Sequence, residues 1–179
     1  MFFDTLQSHL AVCAQPELPN WLRHDPDFWH VISIREPYRP LPDLRLCKRH
    51  VSLLFEDREE LDEDGRGMLV QPRHLRQVFE FVDASPGAPV LVHCWAGLSR
   101  STAVAAALLV RGLRRAEHPS SEWAATAIEQ LLSIRPRARP NLAVLRTGLE
   151  HFLPAPQARA VAEEIVNDNR LLLNRFHRH

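Results

Sequence analysis

Residues 89–110 constrain the fold more than any other stretch of the chain. Pro86-Gly87-Ala88-Pro89 is a turn, and Val90-Leu91-Val92 behind it is a short apolar run. That run reads as a buried strand. Thr102–Val110 is alanine-rich and reads as a helix that can lie close against a sheet. Between them stands His93-Cys94-Trp95-Ala96-Gly97-Leu98-Ser99-Arg100-Ser101. So short a connection allows only a tight loop ending on a helix N-terminus. A strand, a loop and a helix in that order point to an α/β fold.

The residues in the loop limit what it can do. A helix N-terminus offers unpaired N–H groups and the positive end of a dipole. A loop folded over it turns its amides inward and makes a cradle for an anion. Gly97 lets the backbone bend where a side chain would clash. Arg100 adds a planar fork that matches two phosphate oxygens. A thiol in such a field favours its thiolate, so Cys94 is the candidate nucleophile beneath a bound phosphoryl group. Ser101 can donate its hydroxyl to the departing sulfur. His93 is expected to order the loop through hydrogen bonds. A lone cysteine is more often a buried structural residue. Here that explanation must also account for the glycine, the arginine, the hydroxyls and the strand–helix setting.

This segment resembles the signature loop of the cysteine-dependent protein phosphatases. The ending Gly97-Leu98-Ser99-Arg100-Ser101 is similar to that of the dual-specificity branch. The resemblance implies that Cys94 forms a cysteinyl-phosphate and Arg100 clamps the phosphate. It also implies that the amides of Trp95, Ala96, Gly97, Leu98, Ser99 and Arg100 form the cradle, and that Ser101 assists thiolate departure. It covers roughly residues 28–153, more by order of elements than by identity. Pro140-Asn141 resembles a pair that these phosphatases carry near a late helix, although Pro-Asn is a common turn dipeptide.

The chemistry also needs an acid for the leaving oxygen. In the family an aspartate on a loop after a strand supplies it. The acidic loop after Phe55 offers Asp57, Asp62 and Asp64. Asp57 is favoured because it lies nearest the strand end, and Asp62 is next. Asp64 and glutamates 56, 59, 60 and 63 are expected only to solvate the loop. Trp95 is expected to pack under the loop in preference to lining its mouth. Trp95 and Leu98 leave the loop without lysine, which weakens a polyphosphorylated-lipid substrate.

The rest of the chain bounds the partners. Apolar content of 45% and charged content of 25% suit one soluble domain of 179 residues, expected as a core of about 28–153 with a C-terminal helix in 154–179. Net charge is zero, so no basic field advertises nucleic acid or an anionic membrane. Cysteines 13, 47 and 94 show no paired spacing, which points to a reducing compartment. Cys13 or Cys47 could trap an oxidised Cys94, but buried reduced thiols are the favoured reading. The first residues lack the pattern of a signal peptide, so a cytoplasmic location is expected. The histidines, including the pair His177 and His179, show no metal-ligand spacing, and the chemistry needs no metal or cofactor.

Further elements follow from local pattern. Strands are expected at Phe28–Arg35 and Arg49–Phe55, and helices at 18–23, 72–82, 101–113, from Ser120 or Ser121 to Ile134, 141–153 and 157 to about 176. The expected architecture is a central mixed, largely parallel sheet with helices on both faces. The expected function is hydrolysis of a phosphate monoester, with protein phosphotyrosine the favoured substrate. A phosphoinositide, a nucleotide or an RNA 5′ end keeps the same site with another substrate. A catalytically weak phospho-binding module is the rival from another class.

Overall fold

The computed structural model describes residues 1–176; His177 and His179 lie outside the described residues. The strands are β1 (Phe2–Phe3), β2 (Ser8–Ala14), β3 (His30–Arg35), β4 (Arg49–Leu54) and β5 (Val90–Cys94). They form one sheet in the order β1-β2-β5-β3-β4. β1 runs antiparallel to β2, and the other pairings, β2–β5, β5–β3 and β3–β4, are parallel. β5 is therefore central, and all five of its residues are buried. A strand covered on both faces needs no polar alternation, which is why Val90–Val92 is uninterruptedly apolar.

The two faces are covered unequally. α1 (Leu18–His24) lies on one face, where Leu18 and Leu22 meet Cys13, Val31 and Leu91. Each of these leucines is almost wholly buried, which stabilises the face by about 1.5–3 kcal/mol per side chain. The other face carries α2 (Pro72–Asp83), α3 (Arg100–Arg115), α4 (Trp123–Ile134), α5 (Leu142–Leu149) and α6 (Ala155–Val166). α7 (Asn169–Phe176) joins the same core through Leu171. α3 is the hub, and its residues 100–110 are all buried. Its small side chains make this close approach possible: a Cβ on Gly148 of α5 would stand 2.9 Å from the Ala107 Cβ.

The structure departs from the sequence reading in three places. The expected core boundary at residue 28 is too late, because Leu10–Ala14 of β2 pairs along the whole of β5. The expected helix from 157 to 176 is two helices. Asn167 leaves the helical path with ψ near 0°, and Asp168 Oδ1 accepts from Arg170 N at 2.9 Å. The aspartate thus starts a new helix by satisfying one of its free N–H groups. Helix 141–153 is also shorter, because Asn141 is its cap and Leu149 its last residue. Among the described residues no helix is long and apolar enough to cross a membrane.

Candidate active site

The parallel strands β3, β4 and β5 end together, and the segments that leave them make the site. β5 delivers Cys94 and α3 begins at Arg100. Cys94 is 1% exposed. Its Sγ lies 3.1 Å from Ser101 Oγ, so the hydroxyl is in place to donate to the sulfur. Gly97 takes φ +67°, and a Cβ there would stand 2.5 Å from Cys13 C and Ala14 N. The loop can sit on β2 only because this residue has no side chain.

Arg100 is buried, and its charge is answered. Nη1 donates to Phe55 O at 2.9 Å, and Nη2 pairs with Glu36. Glu36, at the end of β3, also pairs with Arg39 at 3.1 Å. Among the described residues Arg100 Nε has no hydrogen-bond partner, and it lies 4.0 Å from Asp57 Oδ2. An arginine held by its outer nitrogens is preorganised, with Nε left for an incoming oxygen.

Of the three candidate acids, Asp57 is the one brought to the loop. Its Oδ1 accepts from Ser99 Oγ at 2.7 Å and from Asn141 Nδ2 at 3.1 Å. Asn141 is therefore shared: its Oδ1 accepts from Val144 N at 2.9 Å and caps α5. Asp62 turns back into its own loop, accepting from Arg66 N at 2.6 Å. Asp64 pairs with Arg66 at 3.8 Å. Glu56 and Glu59 do more than solvate the loop. Glu56 accepts from Met68 N at 2.8 Å, and Glu59 accepts from Leu142 N at 3.0 Å. They fasten the acidic loop at its base and to the start of α5.

Among the neighbouring residues, the structure corrects the expectation for His93 and agrees with the favoured reading of reduced cysteines. Neither ring nitrogen of His93 has a hydrogen-bond partner among the described residues, so it does not order the loop in that way. Side chains alternate along β5, which puts His93 on the face opposite Cys94. Trp95 is half-buried, and the Arg39 guanidinium lies over its ring at 4.5 Å; it is covered by Arg39 from the 36–48 segment. Cys13 packs in the α1-face cluster and Cys94 in the other. The sheet separates their sulfurs, and all three cysteines are free. Burial pushes the Cys13 thiol up, as Glu17 does to a lesser degree; burial also raises Cys47.

Burial lowers His93 to about 4 from an ordinary 6.5. Between these values the unfolded chain holds the extra proton. Stability should therefore fall as pH drops through this window and level off below it, by about 3 kcal/mol for this group. His30 and His74 are lowered by burial too and act in the same direction. Urea unfolding across a pH series should show a flatter acid limb for His93→Leu than for wild type. Equal slopes would refute this account of His93.

No family model matches the chain, and no curated protein matches it. Solved structures do. Human tyrosine phosphatase-like serine/threonine/tyrosine-interacting protein superposes with TM-score 0.56 at 22% identity, over 79% of this chain and 89% of that one. The Yvh1 phosphatase domain from Chaetomium thermophilum gives 0.53 at 22%, over 83% and 94%. PTPMT1 in complex with PI(5)P gives 0.51 at 20%, over 86% and 92%. The chain has the dual-specificity phosphatase fold. Glu36 contacts Arg100 and Asn141 contacts Asp57, and the sequence reading assigned neither a role. Only Asn141 had a local signal, the proline before it.

Proposed function

We propose that the chain is a phosphate-monoester hydrolase working through a cysteinyl-phosphate, with protein phosphotyrosine as its favoured substrate. The observation that carries the reading is the convergence on one loop. Cys94 meets Ser101, and Asp57 reaches the same loop through Ser99, from 42 residues away in sequence.

Cys94 Sγ attacks phosphorus in line. The S–P bond forms as the P–O bond to the leaving group breaks. The loop amides and Arg100 hold the equatorial oxygens, whose charge distribution changes in the transition state. Asp57 gives its proton to the departing oxygen. A water then attacks phosphorus, and the Asp57 carboxylate takes its proton. The S–P bond breaks, and the Ser101 hydroxyl donates to the released thiolate.

The substrate reading draws on the rim. Tyr38 is 91% exposed, one residue from the Arg39 that covers Trp95. We take its exposed ring as the aryl surface that a phosphotyrosine ring would use. A phosphoinositide is the second reading, favoured by the fold shared with PTPMT1, whose structure holds PI(5)P. The absence of lysine from residues 93–101 weighs against it.

Rapid acid quench during p-nitrophenyl phosphate turnover tests the chemistry. One phosphoryl group is expected on the peptide that carries Cys94. Turnover without that adduct, or no turnover at all, overturns the mechanism. Phosphotyrosine peptides compared with PI(5)P vesicles then decide the substrate class: faster release from the vesicles sinks the protein reading.

A further inference from the structure

The loop amides can face an anion only if the loop carbonyls face elsewhere. In a trans peptide the C=O of one residue is antiparallel to the N–H of the next. A donor that holds a carbonyl outward therefore sets the following amide inward. Trp95 O accepts from Gln15 N at 3.1 Å, and Leu98 O accepts from Arg139 N at 2.8 Å. At the apex of the loop, Ala96 O and Gly97 O are both held by Arg135. Its Nη2 donates to Ala96 O at 3.3 Å, and its Nε donates to Gly97 O at 3.0 Å.

The remaining corner of the guanidinium is also fixed. Arg135 Nη1 lies 3.0 Å from Glu17 Oε2. The same Glu17 oxygen accepts from Ala14 N at 2.8 Å, and Ala14 is the strand neighbour of Cys94. Glu17 is thus anchored to the strand beside the nucleophile. The ion pair is partly exposed and contributes little stability. What it fixes is direction, since all three edges of a planar fork are engaged at once.

We propose that Arg135 is a positioning residue for phosphate chemistry: it turns the Gly97 and Leu98 amides toward the bound phosphoryl group, and Glu17 aims it. Arg135 touches only the outer side of the loop. Its effect should be greatest where the equatorial oxygens need the amides most, in the transition state.

This inference rests on residues 94–101 being a phosphate cradle, and two measurements keep the questions apart. Calorimetry of tungstate binding to Cys94→Ser protein reads the cradle without turnover. Hydrolysis of p-nitrophenyl phosphate by protein with Cys94 intact reads kcat and KM. Arg135→Ala is expected to weaken tungstate binding about tenfold and to lower kcat about 30-fold, moving KM less. Arg135→Lys can reach one carbonyl and should recover part of both losses. Glu17→Gln keeps an acceptor for Ala14 N while removing the charge, and should cost about threefold in kcat.

A folded Arg135→Ala protein that binds tungstate and turns over within about twofold of its parent overturns the proposal. If Arg135→Ala does not fold, Arg135→Lys and Glu17→Gln decide, and parental values in both overturn it. Loss of tungstate binding in Arg135→Ala, with wild type inert toward aryl phosphate, would defeat the phosphatase reading and leave the clamp standing.

Discussion

Cys94→Ser is expected to stop p-nitrophenyl phosphate hydrolysis, a loss of at least about 10⁴-fold in kcat, while tungstate still binds. The substitution changes one atom. Serine presents a neutral hydroxyl where the mechanism needs an ionised, polarisable sulfur, so the S–P bond that divides the reaction into two steps cannot form. The binding apparatus stays. Arg100 keeps Glu36 and the Phe55 carbonyl, and the loop carbonyls keep their outer donors. The side chain is buried and already within hydrogen-bond distance of Ser101 Oγ, so the new hydroxyl has a partner. Loss of stability should therefore be small. Steady-state rates and tungstate calorimetry on the same preparation test both halves. Residual turnover above about 1% of wild type would remove Cys94 from the role of nucleophile.

The sequence made the loop legible because everything needed to recognise it is local. Gly97, Arg100 and the hydroxyls stand within a few residues of Cys94, and the flanking strand and helix follow from their own composition. The supports are legible only in three dimensions. Glu36 lies 64 residues from Arg100, and Arg135 lies 38 from Gly97. Neither sits in a pattern that marks it, because their partners are a guanidinium and two backbone carbonyls. β2 was hidden for another reason. Its residues Leu10–Cys13 are buried on both faces, so the two-residue alternation that reveals a half-exposed strand is missing. The break at Asn167-Asp168 did carry a signal. Aspartate is a strong helix start, but the apolar spacing on either side of it read as continuous.

Asp57→Asn should lower kcat in a way that depends on the leaving group. An alkyl or simple phenyl phosphate releases a strongly basic oxygen and needs the proton as the bond breaks. There the loss should be about 10²–10⁴-fold. p-Nitrophenolate leaves readily without a proton, so the loss on that substrate should be smaller. What remains will report the second step, in which the carboxylate accepts a proton from water. Asparagine suits this test because it keeps an oxygen to accept from Ser99 Oγ and Asn141 Nδ2. The loop should hold its place while the acid is lost. Asp62→Asn serves as the control. Asp62 Oδ1 caps Arg66 N inside its own loop, and its loss should leave kcat within about twofold on every substrate. Plotting log kcat/KM, which reports the step that expels the leaving group, against leaving-group pKa for the three proteins separates the cases. A general acid flattens this dependence, so Asp57→Asn should steepen it and Asp62→Asn should not. Steepening with Asp62→Asn alone would move the acid to Asp62, and parallel lines for all three would mean that neither aspartate protonates the leaving oxygen.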